Sequence, residues 1–140
     1  MTASFQAYGG QQGRQFAQQC DALLVSLGFV LDGSVVLPKL GVEIDQAATS
    51  KAGRSVWFEY KGSVQGTRPG LLRTDTLKKA IANGALVQRL IESPPFVVLT
   101  SHVPSGGAGR AMLDTALELG YFADVICLYD PGQIQRLAVF

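Results

Sequence analysis

Charge is scarce in this chain: Asp, Glu, Lys and Arg make up 16% of its 140 residues, against 47% hydrophobic. So apolar a composition excludes a disordered tail or a collagen-like repeat. Yet no apolar run approaches the ~20 residues that span a bilayer, so no membrane partner is expected. The opening residues, Met1 to Gln6, lack the basic segment and apolar stretch of a secretory signal. The expectation is therefore a cytoplasmic protein, at the nucleoid or, if phage-encoded, in the host cytoplasm. Only two cysteines occur, Cys20 and Cys127, each in an apolar setting, which reads as two reduced thiols rather than a disulfide. One histidine, His102, stands without Cys or His neighbours and makes no zinc site. No Ser-His-Asp arrangement and no G-x-x-x-x-G-K-[ST] loop is present; the glycine run Ser105 to Arg110 is read as a loop.

What is present is an uneven charge distribution. The net charge is only +1, but residues 51–89 hold eight of the twelve basic side chains and just two acids, Glu59 and Asp75. That segment carries +6 and the remainder −5. A basic patch for a polyanion is the functional expectation, an ordinary solvated face the plain one.

The length suits one domain. Residues 1–10 are polar and read as a flexible N-terminal arm, leaving 11–140 as a single domain. From Gln11 the spacing turns helical: Phe16, Cys20, Leu23, Leu24 and Leu27 form one stripe, stopped at Gly28. Phe29 to Leu37 reads as one strand, or as two arms about Asp32-Gly33. Val42 to Ala47 and Ser55 to Lys61 alternate as strands, with Glu43 and Asp45 on one face of the first. In the second, Val56, Phe58 and Tyr60 oppose Trp57, Glu59 and Lys61. A loop over 62–70 leads to a helix capped by Thr74 or Asp75 and running to about Ser93, with Ile91 on its apolar side. Then come a strand at Phe96 to Thr100, a helix from Arg110 to Leu119 and a strand from Val125 to Tyr129. The class is α/β with a mixed sheet.

Pairing of the second and third strands sets Asp45 beside Glu59, with Lys61 on the same strand face as Glu59. Two carboxylates and an ammonium in one small volume suit a hard divalent cation acting on a phosphodiester. The fragments Gly41-Val42-Glu43-Ile44-Asp45 and Val56-Trp57-Phe58-Glu59-Tyr60-Lys61, with a helix before them and a helix and strand after, resemble the PD-(D/E)xK nuclease superfamily. The resemblance covers about residues 11–102. It implies a restriction endonuclease-like αβββαβ core with a mixed central sheet flanked by helices, here with an extra C-terminal helix and strand. It also implies a Mg²⁺-dependent DNA endonuclease, with Mn²⁺ as substitute. Asp45 and Glu59 would be metal ligands and Lys61 the catalytic lysine.

The sequence departs from the fuller pattern on the first helix. Where many members carry a Glu, this chain offers Gln11, Gln12, Gln15, Gln18 and Gln19, with Asp21 as its only acid. One metal is then favoured over two, with Glu43 as an accessory candidate. Arg68, Arg73, Lys78 and Lys79, beside Gly62, Gly66 and Gly70, form the expected DNA-tracking surface, touching phosphates rather than bases. Gln88 lies on the apolar stripe of the second helix and reaches the site or is a satisfied core glutamine. Leu86 and Leu90, opposite that stripe, suit a buried helix or a dimer contact. So short a chain leaves little room for a target-recognition domain. The expectation is that it recognises DNA shape (junction, flap or nick) or takes specificity from a protein partner, and that a homodimer gives paired active sites for two strands. The competing expectation is a catalytically inactive nuclease-fold DNA-binding or assembly module. A third is an unrelated α/β ligand-binding domain using the 105–109 loop.

Overall fold

The computed structural model describes residues 2–63 and 70–140, with side chains from Gly13 onward. Helix α1 spans Thr2–Ser26, starting ahead of the expected Gln11 and so including residues read as an arm. Its stripe buries Phe16, Cys20 and Leu24 against the sheet, and the chain turns at Leu27–Gly28.

Three strands follow: β1 (Val30–Leu37), β2 (Val42–Thr49) and β3 (Ser55–Lys61). Both successive pairs are antiparallel. Residues 30–37 are one strand rather than two arms about Asp32-Gly33, because the turn signal is absorbed as an irregularity of pairing. Leu31 faces Ala48, Gly33 faces Ala47 and Val35 faces Ile44. The first step gives β1 an extra residue, the second gives β2 one, so two local bulges cancel and both strand ends stay in register. Gly33 takes φ +96° at this point, a conformation that disfavours side chains. The bulge on β2 falls at Asp45–Gln46.

A 3-10 turn (Gly70–Leu72) leads into α2 (Thr74–Val87). Arg73, not Thr74 or Asp75, is its N-cap, and no side chain caps it. The helix stops well before Ser93, so Ile91, expected on the apolar side, is fully exposed. Strand β4 (Phe96–Thr100) is as expected and is buried at every residue. Helix α3 (Gly107–Glu118) starts inside the glycine run. Strand β5 (Asp124–Cys127) ends two residues before Tyr129. Asp130 accepts from the N–H groups of Gly132 and Gln133 and so caps a short helix α4 (Pro131–Ile134), which a 3-10 turn (Gln135–Val139) continues.

The result is α/β, with a five-stranded mixed sheet in the order β1-β2-β3-β4-β5. Strands β3, β4 and β5 run parallel, each linked by a helix. Burial on both faces explains why β4 is apolar throughout. One core lies between α1, the C-terminal turns and one sheet face, with Val56, Phe58, Val97 and Leu99. The other lies under α2 and α3, with Val98, Leu77, Leu113 and Phe122. Strand β3 obeys its alternation: Val56, Phe58 and Tyr60 face the α1 side, Trp57 the other. Among the described residues, no helix is long and apolar enough to cross a membrane.

Helix α2 seats closely because Gly84 lacks a side chain. A Cβ there would lie 2.6 Å from the Tyr121 carbonyl oxygen. Alanine in a helix interior ordinarily gains about 1 kcal/mol over glycine. Forcing a methyl group against backbone costs about 1–3 kcal/mol. Gly84→Ala is therefore expected to lower the urea unfolding midpoint. Gly13→Ala on α1, where nothing lies within 4 Å of the new carbon, is expected to leave it unchanged or raise it. Equal stabilisation by both would show that α2 is not seated on that carbonyl.

Candidate active site

Asp45 sits where the β2–β3 ladder ends. Gln46 and Phe58 are the last paired residues in that direction. Along a strand, N–H groups point alternately to its two neighbours. Trp57 N–H is directed to the Pro95 carbonyl on the β4 side, so that of Tyr60 points toward β2. It finds no strand carbonyl there; it donates to Asp45 Oδ2 at 2.7 Å. Since strand N–H groups lie in the plane of the sheet, the carboxylate lies between the two strands rather than standing out from one face. The bulge at Asp45–Gln46 turns the side chain into that position.

Glu59 stands on the α2 face of β3, 2% exposed. Asn83 Nδ2 of α2 donates to its Oε2 at 2.7 Å. Burial raises the Glu59 carboxyl from the ordinary 4.5 to about 7. The Asn83 hydrogen bond and then the Lys61 ammonium pull it back, while Asp45, within hydrogen-bonding reach, adds to the rise. The structure thus brings together Asp45, Glu59 and Lys61. Near neutral pH Glu59 is therefore partly protonated, and a cation beside it would favour its ionised form.

The donor set fits a hard divalent cation. Two carboxylates suffice for Mg²⁺, which completes its shell with water and phosphate oxygens. Among the described residues, no three His, Cys, Asp or Glu side chains form a common metal-holding group. Glu43 is exposed on the part of β2 that pairs with Val36, and no described bond ties it to Glu59.

Beyond Lys61, the parallel strand ends gather polar groups. Lys61 pairs in register with buried Thr100. Ser101 Oγ accepts from Ser63 N–H at 3.3 Å and lies 2.9 Å from His102 Nδ1. Leu71 N–H donates to the His102 carbonyl, returning the chain beside the site. Arg73, Lys78 and Lys79 are exposed around the start of α2, with Lys79 one turn before Asn83; Arg68 lies outside the described residues. Gln88 is exposed past the end of α2. Arg110 is paired with Asp114 at 2.8 Å.

On the α1 side, Tyr60 Oη donates to Asp21 Oδ1 at 2.6 Å. Burial, and behind it the Asp21 carboxylate, keep the Tyr60 hydroxyl protonated far above its ordinary range. Burial likewise pushes up the Cys20 thiol. Cys20 and Cys127 are both free.

Asn83 and Asp21 escaped the reading of the sequence as parts of this site. Asn83 had a signal. Asn-Gly is a turn dipeptide with poor helix propensity, and here it sits inside a helix at Asn83-Gly84. Each residue breaks the local rule for a tertiary reason, one to bind Glu59 and the other to admit the Tyr121 carbonyl.

Comparison with known proteins returns no match among family models, curated proteins or solved structures.

The raised Glu59 carboxyl makes stability depend on pH. Between 4.5 and about 7 the folded protein keeps a proton that the unfolded chain has released. Stability from this group therefore falls as pH rises through that window. In metal-free buffer, the urea midpoint of the wild type should drop from about pH 5 to about pH 8 relative to that of Glu59→Gln. Parallel pH curves for the two proteins would show that Glu59 titrates as an ordinary surface acid.

Proposed function

We propose that this chain is a Mg²⁺-dependent DNA endonuclease with a PD-(D/E)xK-type, restriction endonuclease-like core, hydrolysing phosphodiester bonds. The observation that carries the reading is the convergence of Asp45 and Glu59 at the split between β2 and β3, with Lys61 next on the same strand. The element order supports it: a helix, three antiparallel strands, a helix, then a strand parallel to the third. The exposed cations at the start of α2 supply a path for a phosphate chain.

Asp45 and Glu59 would hold Mg²⁺, or Mn²⁺ in its place. The bound cation would polarise the scissile phosphate and lower the pKa of water. Asn83 fixes the rotation of the Glu59 carboxylate through its 2.7 Å bond. The Tyr60 N–H does the same for Asp45. Lys61 orients the attacking water and stabilises the charge that develops on the phosphate oxygens. Arg73, Lys78 and Lys79, with Arg68 in the adjoining segment, contact backbone phosphates rather than bases. That makes selection by DNA shape, at junctions, flaps or nicks, the natural mode, or targeting by a protein partner. A homodimer would set two such sites against two strands.

The test is incubation with supercoiled, linear, single-stranded and four-way-junction DNA in Mg²⁺, Mn²⁺ and EDTA. Cutting should need the metal and fall by about 100-fold or more in Glu59→Ala and Lys61→Ala. Undiminished hydrolysis in both variants would refute the proposal. Salt-dependent DNA binding with no cutting, unaffected by changes at Asp45 and Glu59, would identify the inactive binding module instead.

A further inference from the structure

Tyr60 stands between Glu59 and Lys61, and Gln46 stands next to Asp45. A single atom holds both. Asp21 Oδ1 of α1 accepts from Tyr60 Oη at 2.6 Å and from Gln46 Nε2 at 3.1 Å. The other end of the Gln46 amide is also engaged, its Oε1 accepting from Gly33 N–H at 2.7 Å. The chain of bonds therefore runs from the bulge of β1, through the bulge of β2, to α1 and back to β3. There the Tyr60 N–H closes it on Asp45. Gln46 is buried at 7% exposure, a place where an amide must find partners.

We infer that Asp21 is the positioning residue of this site: its one oxygen pins the strand segments that carry Asp45, Glu59 and Lys61, and it is not itself a metal ligand. The inference rests on Asp45 and Glu59 being the metal-holding pair. Asp21 shares with Asp45 a cleft of about 260 Å³ on the α1 side, lined also by Ala17, Gln46 and Tyr60. Glu59 meets Asn83 on the opposite side of the sheet. Asp21 therefore approaches from the wrong face to complete a shell with Glu59.

The two roles predict different outcomes for Asp21→Asn. Asparagine keeps an Oδ1 that accepts both bonds, so positioning survives; a ligand that loses its charge does not. Two readouts separate them: the residue 60 amide in proton–nitrogen NMR spectra of the metal-free protein, and Mn²⁺ affinity by calorimetry. Asp21→Asn should keep the residue 60 amide near its wild-type shift and Mn²⁺ affinity within about threefold, as expected for a conserved outer-shell bond. Asp21→Ala should move that amide upfield, as its bond to Asp45 loosens, and weaken Mn²⁺ by about 10–100-fold. Tyr60→Phe, which removes one hydroxyl and keeps the ring, should change both readouts in the same direction and decides the matter should Asp21→Ala not fold. An unmoved amide in Asp21→Ala or Tyr60→Phe overturns the inference. So does an Asp21→Asn variant as weak for Mn²⁺ as Asp21→Ala. Failure of the wild type to bind Mn²⁺ defeats the metal reading itself, whereas the amide readout, taken without metal, still decides whether Asp21 holds Asp45 in place.

Discussion

The Asp45 carboxylate takes the hydrogen bond that a β2 carbonyl would otherwise accept from the Tyr60 N–H. This substitution lets two neighbouring strands part while the donor keeps a partner. The rest of the site follows from it. Glu59 reaches the same end of the ladder from the α2 face, and the tether fixes the exposed Asp45 carboxylate beside it. The paired bulges confine the distortion to residues 31–35 and 44–48, so the sheet outside them keeps its register.

The flanking layers serve the same arrangement from two sides. Helix α2 delivers Asn83 to Glu59, and its close seating depends on the absence of a side chain at Gly84. Helix α1 delivers Asp21 to Tyr60 and Gln46. Glu59 is a buried acid, and burial alone would keep it neutral. Its raised titration is chiefly the consequence of that burial, which the Asn83 bond and the Lys61 ammonium offset in part and Asp45 reinforces. Parallel strands add a further element. The ends of β3 and β4 bring Lys61, Thr100, Ser101 and His102 into one edge, where loops rather than strand partners receive the chain.

Strand alternation made much of this legible beforehand. Val56, Phe58 and Tyr60 against Trp57, Glu59 and Lys61 is a pattern of period two, and the pleat obeys it without reference to the rest of the molecule. On β2 the same rule holds from Val42 to Asp45, with Val42 and Ile44 buried and Glu43 and Asp45 exposed, and it lapses at Gln46, where the bulge resets the faces. Helix ends were also misplaced. Ile91 fits the period of α2, yet the helix ends at Val87 and leaves it exposed. Periodicity names a face but carries no information on where packing stops supporting the helix. Gln88 misled for that reason, while Asn83, five residues earlier, is the residue that reaches Glu59.

By itself the sequence determined the class of fold, the order of its elements, the strands that carry Asp45, Glu59 and Lys61, and the concentration of positive charge between residues 51 and 89. These depend on local chemistry: apolar spacing, glycine and proline punctuation, and the identity of neighbours along the chain. Only the tertiary structure decided which side chains complete the site. The Asp21–Tyr60 and Asn83–Glu59 bonds join residues 39 and 24 positions apart. No local pattern specifies such pairs. They exist because two helices press on opposite faces of one sheet, and each buried polar group there has to find its partner across the packed layers.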